Sequence, residues 1–370
     1  MELTNEVLQK MKDKQQYNVT YKSYYGYLAN ENRVEGLTKF NPMGLKYFKR
    51  SQRIGSCMTF WDWDIYHRNN LMDLNKVNRC MNNRFCPNCK KLDLAKFIHG
   101  YGKIFNNMLF ENYNPYLLTL TVPNVKGYEL KSEIEKMNKS FNRFFKAFSQ
   151  PIGKGEHGFK DRLIFFEGAL KVLEITYNKK TDTYHPHFHC MMFSKDYNEG
   201  DFKKHIKGAW SNKKQEYLYN SEIDIQIMKL WYMCYNKIRL SSKEYLNLSN
   251  NWFDLYMCDI REMDCDGIYE VLKYTFKDTD INSYEVFKTM VLSLENKRIR
   301  QGYGLLKNLK CEDIDEGTEL SLDDFLQVDK KETPEKKILQ GIQSIIKDYT
   351  SYRKISRRKN NYEEELNNLE

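Results

Sequence analysis

The chain has 370 residues, of which 41% are hydrophobic and 14% aromatic, and its formal net charge at pH 7 is +9. This length suits one large domain with appendages or two domains, and the apolar content is ample for a core. No run approaches the roughly 20 apolar residues of a membrane-spanning helix, so no membrane partner is expected. The positive charge instead suits a polyanionic partner.

The first part of the chain is predicted to hold a polar N-terminal arm, residues 1–40, followed by a metal-binding module, residues 41–110. The module is indicated by four cysteines, two of which form a Cys-Pro-Asn-Cys knuckle. They are Cys57, Cys80, Cys86 and Cys89. Four thiolates with this spacing suit a closed, tetrahedral Zn²⁺ site with a structural role.

Alternatives to this ligand set stay open. His67 or His99 could take the place of Cys57, and four reduced cysteines in a core would need no metal. Disulfides are not expected, because nine cysteines are an odd number and no signal peptide points to an oxidising compartment. We therefore expect a cytoplasmic protein.

A strand and an amphipathic helix open the main domain, which is expected at residues 111–310. The strand is predicted from Asn114 to Val122. The helix is indicated by apolar residues that recur at spacings of three and four, which predicts a core-facing stripe. These residues are Leu130, Ile134, Met137, Phe141, Phe144, Phe145 and Phe148.

Residues 163–193 are predicted to form a β-hairpin around a polar turn. Alternate side chains of a strand share a face, which places His187 and His189 together. If the hairpin is centred on the middle of the turn, Glu174 lies directly opposite His187, with Cβ atoms roughly 5 Å apart. Two imidazoles and a carboxylate around one point would form a metal site with positions open for a substrate oxygen. Two inert, hydrogen-bonded histidines are the alternative.

The following segment is less regular. A short helix is predicted over residues 202–210, a hydrophilic insertion over 211–250 and a further strand over 256–263. Strands and helices mixed in this order, with an antiparallel hairpin at the centre, indicate the α+β class.

A helix is predicted around Tyr274. Side chains four or three positions apart share a helix face, so Glu270, Tyr274 and Lys277 would lie together. A carboxylate and an ammonium group beside a phenol can tune a tyrosine used as a nucleophile. An ordinary surface cluster is the alternative.

Three of these segments together resemble the motifs of the HUH endonucleases, most closely the rolling-circle replication initiator (Rep) proteins of Gram-positive bacterial plasmids. They are Leu-Leu-Thr-Leu-Thr at 117–121, His-Pro-His-Phe-His at 185–189 and Glu-Val-Leu-Lys-Tyr-Thr-Phe-Lys at 270–277. The resemblance covers residues 50–310, approximately, and includes a Cys-rich segment before the first motif. It implies a central antiparallel sheet of palm-like type with packed helices.

The resemblance also implies the chemistry. Tyr274 would attack a phosphodiester of origin DNA, giving a 5′-phosphotyrosine and a free 3′-hydroxyl primer, and Glu270 would activate water for the terminating cleavage. His187 and His189 would hold Mn²⁺ or Mg²⁺ at the scissile phosphate, while Glu174 as the third ligand depends mainly on the hairpin geometry.

Basic residues near the tyrosine complete this set. Lys277 and Lys273 are expected to contact the DNA phosphate or the phenolate, and two solvated surface lysines are the alternative. The segment around Arg298 and Arg300 resembles the basic, glycine-containing segment that follows the tyrosine helix in the family, and this implies DNA contacts by both arginines. A transposase or relaxase with the same chemistry, and a catalytically inactive DNA-binding relative, remain alternatives.

The C-terminal part, residues 311–370, is predicted to be an acidic linker followed by an amphipathic helix that begins at Thr333 and Pro334. This helix would dock on the main domain or mediate a homodimer. The sequence has no phosphate-binding loop of the ATPase type. Unwinding and extension of plasmid origin DNA are therefore assigned to a host helicase and DNA polymerase.

Overall fold

The computed structural model describes residues 5–35, 39–66, 71–151, 158–195, 207–211, 216–248, 255, 258–263, 271, 280–307, 335–340 and 356–358. The chain divides into two compact units, one formed by Met1–Lys96 with Glu312–Glu370 and one formed by Phe97–Cys311. No described helix has the length and apolar character needed to cross a membrane.

The helices are α1 (Asn5–Asn30), α2 (Pro42–Ser56), α3 (Pro87–Phe110), α4 (Leu130–Ser149), α5 (Glu222–Tyr235), α6 (Ser242–Asn247) and α7 (Tyr284–Leu294). The strands are β1 (Phe60–Tyr66), β2 (Leu71–Val77), β3 (Asn114–Thr121), β4 (Gly168–Asn178), β5 (Thr183–Ser194), β6 (Lys207–Ser211), β7 (Glu216–Asn220), β8 (Cys258–Glu262), β9 (Arg300–Gly304), β10 (Glu335–Gln340) and β11 (Ser356–Arg358). The α+β class is confirmed in its broad form.

In the first unit, α1 packs against α2. The segment predicted as a polar arm is therefore largely helical, and Tyr25 and Leu28 of α1 are buried. The ring of Tyr25 lies 6.2 Å from that of Tyr47 in α2. Helix α2 begins after Asn41, whose side chain accepts the backbone N–H of Gly44 and so satisfies one of the free donors at the helix start.

The same unit contains an antiparallel sheet in the order β11-β10-β1-β2. Its strand β10 corrects the prediction of a helix that begins at residue 333, because residues 335–340 pair with β1, with Leu339 opposite Trp61. A short apolar run fits both the helical and the strand period. Residues 335–340 form a strand because their backbone groups hydrogen-bond to the edge of β1. The later part of the predicted helix lies outside the described residues.

The second unit is built on a five-stranded antiparallel sheet in the order β8-β3-β5-β4-β9. Strand β3, the β4–β5 hairpin and β8 lie where the sequence predicts strands. The palm-like type of this sheet remains a prediction from the resemblance.

Helix α4 covers one face of this sheet and contacts β5, α5 and α7. The predicted apolar stripe of α4 is buried throughout its length. The ring of Phe141 meets that of Phe188 edge to face, with centroids 5.7 Å apart. Because successive side chains of a strand alternate between faces, Phe188 on the α4 face places His187 and His189 on the opposite face.

A lysine is buried on the α4 face. Lys171 of β4 is 0% exposed, and its ammonium group donates to Oδ1 of Asn138. The Nζ atom also lies 4.5 Å from the ring centroid of Phe188 and 5.0 Å from that of Phe141. These contacts partly replace the water that the cation loses.

Two predictions between β5 and β8 are wrong. Residues 207–211 form β6, which pairs with β7, and not the end of a short helix. The predicted hydrophilic insertion contains α5, which is buried on nearly all sides and starts with a capping box between Ser221 and Asp224. A helix that is buried on nearly all sides lacks the one-sided apolar stripe by which amphipathic helices are recognised.

Candidate active site

The β4–β5 hairpin positions the candidate metal ligands. Its register pairs Glu174 with His187 and Val172 with His189, as the symmetry of the turn predicts. Glu174 and His187 are buried and His189 is partly exposed. The three side chains therefore share one face of the sheet.

The ligand atoms of these three residues converge. Oε2 of Glu174 lies 3.0 Å from Nε2 of His189 and 3.5 Å from Nε2 of His187. Two atoms bound at about 2.1 Å to one metal, at right to tetrahedral angles, lie roughly 3.0–3.4 Å apart. The set thus fits a divalent cation.

The Nδ1 atoms of both imidazoles, on the side of each ring away from Glu174, also have hydrogen-bond partners. Nδ1 of His187 lies 3.1 Å from the carbonyl oxygen of His185. A carbonyl can only accept, so Nδ1 carries a proton, and Nε2 is left as the nitrogen that faces Glu174 and could bind a metal. Nδ1 of His189 lies 3.3 Å from Oγ1 of Thr119. Thr119 is in the quoted Leu-Thr-Leu-Thr segment, but its role was not predicted, because it depends on the pairing of β3 with β5.

The electrostatics keep Glu174 ionised. Burial alone would raise the pKa of its carboxyl group, but hydrogen bonds with His187 and His189 outweigh burial and hold the pKa well below its usual range. An anionic oxygen therefore lies beside the Nε2 atoms of both imidazoles at neutral pH, which is the grouping of one carboxylate and two ring nitrogens that a cation site requires.

A third histidine adjoins the site. The ring of His185 stacks on that of His187 with centroids 5.0 Å apart and an interplanar angle of 26°. Burial lowers the pKa of His185, and the neighbouring His187 lowers it further. Strand alternation alone places His185 on this face, although no role was predicted for it.

Most of the predicted tyrosine motif lies outside the described residues, including Glu270, Lys273, Tyr274 and Lys277. Val271, within the same motif, is described and is fully buried.

The four predicted zinc ligands lie together and are buried. Sγ of Cys89 is 3.5 Å from Sγ of Cys80 and 3.7 Å from Sγ of Cys57, and Sγ of Cys86 is 3.7 Å from Sγ of Cys57. A tetrahedron with Zn–S bonds of about 2.3 Å has edges of roughly 3.8 Å. The spacing therefore fits Zn²⁺.

Electrostatics and helix α1 support the same cluster. Hydrogen bonds from Cys57, Cys80 and Cys86 hold the pKa of the Cys89 thiol well below its usual range, which favours a thiolate. Asn18 of α1 accepts from Sγ of Cys86 and donates to the carbonyl of Cys57. Asn18 was missed because nothing in the sequence marks one buried asparagine.

Of the predicted DNA-binding residues, Arg298 is exposed and Arg300 opens β9. Arg300 lies opposite Val172, which itself lies opposite His189, so all three share one row across the sheet. The guanidinium of Arg300 is 4.1 Å from the ring centroid of Phe97.

Comparison with known proteins finds related sequences. The family model described as "Replication protein" matches residues 71–354. A "Protein rep" of Staphylococcus aureus is 26% identical over 241 residues, which cover 61% of this chain and 82% of that protein. A "Protein rep" of a Bacillus species is 28% identical over 247 residues, which cover 64% of this chain and 68% of that protein. A "Protein rep" of Streptococcus pneumoniae is 33% identical over 115 residues, which cover 30% of this chain and 32% of that protein. No solved structure matches.

Proposed function

The chain belongs to the family of replication proteins, and from this premise we propose that it initiates rolling-circle replication of a plasmid by nicking one strand of the origin DNA. The observation that carries the proposal is the convergence of Glu174, His187 and His189 on one face of an antiparallel sheet. The motif around Tyr274 in the same chain supplies the nucleophile.

In this proposal the three side chains hold Mn²⁺ or Mg²⁺. When bound, the cation supplies Lewis-acid polarisation of the scissile phosphate. The protein fixes the donor atoms in advance: the carbonyl of His185 and the hydroxyl of Thr119 orient the imidazoles, and Glu174 contributes the negative charge. Two nitrogen donors make Mn²⁺ the better match, since Mg²⁺ prefers oxygen.

The phenolic oxygen of Tyr274 attacks the phosphorus atom as its proton passes to solvent. A phenol has a pKa near 10, so it is protonated and a weak nucleophile at neutral pH until a neighbouring group helps it to lose the proton. The new bond is a 5′-phosphotyrosine, the P–O3′ bond breaks, and the 3′-oxygen takes up a proton to become the primer hydroxyl. Lys277 stabilises the phenolate, and Glu270 later removes a proton from the water that hydrolyses the terminal phosphodiester.

Other residues bind rather than react. The four cysteines hold a structural Zn²⁺, which stabilises the unit that contains α1 and α2. Lys273, Arg298 and Arg300 contact DNA phosphates. The reaction takes place in the cytoplasm, where a host helicase unwinds the origin duplex and a host DNA polymerase extends the 3′-hydroxyl.

The test measures whether the protein forms a covalent adduct with DNA. The protein is incubated with single-stranded oligonucleotides tiled across its replicon, with Mn²⁺, and separated on a denaturing gel. We expect one oligonucleotide to give a slower band that is lost with chelator and in Tyr274→Phe, and kept in the control Tyr269→Phe.

The other outcomes identify the alternatives. An adduct that survives Tyr274→Phe would refute this nucleophile. Binding without any adduct would favour an inactive DNA-binding relative. Adducts with DNA ends of a mobile element, and none with a replication origin, would favour a transposase or relaxase.

A further inference from the structure

A cleft of about 780 Å³ lies beside the edge strand β9. Its walls come from β9 and the turn after it, from the C-terminal half of α4, and from Tyr101 of α3. No strand in the described part of the chain pairs with the outer side of β9. The volume is in the range of clefts that enclose small ligands.

The cleft is strongly basic. Lys146, Arg298, Arg300 and Lys307 line it, and Glu167 is its one lining carboxylate. Three of the four cations are exposed, namely Lys146, Arg298 and Lys307. A group of cations that outnumbers the acids in this way fits a ligand with several negative charges, such as a run of phosphodiesters.

An aromatic wall stands next to these charges. The ring of Tyr303 packs against Phe141 and Phe145, with centroid distances of 5.0 and 5.3 Å. Its hydroxyl donates to Oδ1 of Asn142 at 2.9 Å, so the orientation of the ring is fixed. A fixed aromatic ring beside cations is the arrangement by which proteins bind unpaired bases through stacking.

The turn after β9 holds this wall in place. The N–H of Leu306 donates to the carbonyl of Tyr303, and that of Lys307 to the carbonyl of Gly304. Gly304 has φ +54, and a Cβ on Gly302 would lie 2.0 Å from the carbonyl oxygen of Leu306. Both positions therefore require glycine, and the tight turn they permit brings Lys307 to the cleft.

The sheet connects the cleft to the candidate active site. Arg300 lies across β4 from His189, with Val172 between them. Neighbouring strands are about 4.8 Å apart, so the two backbones are separated by about 10 Å. Arg300 shares the face of His189, whereas Tyr303, three residues further along β9, packs on the α4 face. A strand that runs from the candidate metal site past Arg300 therefore reaches Tyr303 around the outer edge of β9.

We propose that this cleft binds the single strand of DNA that flanks the nick, with phosphates at the four cations and a base against Tyr303. The inference rests on the proposed nicking function and adds to it a second contact region for the substrate. It requires an unpaired strand, because a base within a duplex cannot stack on a protein ring.

The test measures the cleft without the nicking reaction. Fluorescently labelled dT12 is titrated with zinc-loaded protein in buffer without Mn²⁺ or Mg²⁺, and anisotropy gives Kd at several salt concentrations. The variant is Lys146→Ala with Arg298→Ala, and the control is Lys243→Ala, an exposed lysine of α6 away from the cleft lining. An unchanged melting temperature shows that the variants are folded.

We expect the double variant to bind dT12 at least about 10-fold more weakly than the wild type, and Lys243→Ala to bind normally. Each lost phosphate contact on a single strand lowers the slope of log K against log salt by about 0.7, so the slope should fall by roughly 1.4. A dT12 in which one base is 5-iodouracil should crosslink under ultraviolet light to the peptide that contains Tyr303.

Two results would overturn the cleft proposal: equal dT12 binding by the double variant and the wild type, or tighter binding of polyglutamate than of dT12, which would indicate an acidic protein partner. Neither depends on cleavage. A protein that binds dT12 through the cleft but forms no adduct with origin DNA would refute the nicking function alone.

Discussion

Oγ1 of Thr119 lies 3.3 Å from Nδ1 of His189, whose Nε2 faces Glu174. The hydroxyl thus orients the imidazole of a candidate metal ligand through the ring nitrogen that does not face the metal site. Loss of such a partner typically lowers metal affinity 10- to 100-fold. We expect Thr119→Val, which keeps the side-chain shape, to weaken Mn²⁺ binding by about this factor in isothermal titration calorimetry.

Thr119→Ser keeps the hydroxyl and should retain most of the affinity. Equal Mn²⁺ affinity in the valine variant and the wild type would show that His189 is oriented by packing alone.

Removing the charge of Glu174 should affect metal binding more strongly. Glu174→Gln keeps the size of the side chain but leaves two imidazoles without their anionic partner, so we expect Mn²⁺ affinity to fall by more than about 100-fold. At 100 times its Kd, Mn²⁺ should add about 2.7 kcal/mol to the unfolding free energy of the wild type and almost none to that of the variant.

Urea unfolding with and without Mn²⁺ measures this difference. Glu262→Gln, at an exposed glutamate of β8, is the control and should respond like the wild type. A full Mn²⁺ response in Glu174→Gln would remove Glu174 from the ligand set.

The cysteine cluster predicts one equivalent of Zn²⁺ per chain, measurable by inductively coupled plasma mass spectrometry. Cys89→Ser should lose the metal and lower the melting temperature, because the binding free energy of a structural zinc is part of the folding free energy. Cys234→Ser, at a buried thiol of α5 outside the cluster, should keep its zinc. Zinc retained in Cys89→Ser would point to a different ligand set.

Lys171 predicts a pH dependence of stability. Burial lowers its pKa from 10.5 to about 8. Between these values the unfolded chain holds the proton and the folded chain does not, so the folded state gains stability as pH rises. This gain in unfolding free energy amounts to roughly 3 kcal/mol. It is complete above about pH 10.5 and is lost as the pH falls to about 8.

Lys171→Met removes this titration. Other groups ionise in the same range, so the quantity to measure is the unfolding free energy of the wild type minus that of the variant, in urea, from pH 7 to 10.5. We expect this difference to rise with pH. The exposed Lys139→Met on α4 should show a flat difference, and a flat difference for Lys171→Met as well would contradict the shifted pKa.

Local features of the site were predictable, and features that depend on distant pairing were not. Glu174 opposite His187 follows from the symmetry of one short turn. The contact of Thr119 with His189 depends on how β3 pairs with β5, which no nearby residue determines. Strand β10 likewise depends on β1, a partner far away in sequence, while its own residues fit a helix equally well.

The β4–β5 hairpin contains all three candidate metal ligands between Glu174 and His189. Added residues within the turn lengthen a loop at little free-energy cost and leave the strands in register. One added residue between Glu174 and the turn would instead move the carboxylate to the face covered by α4. We therefore expect natural length variation among functional relatives to be confined to the turn and absent from the strand segments beside it.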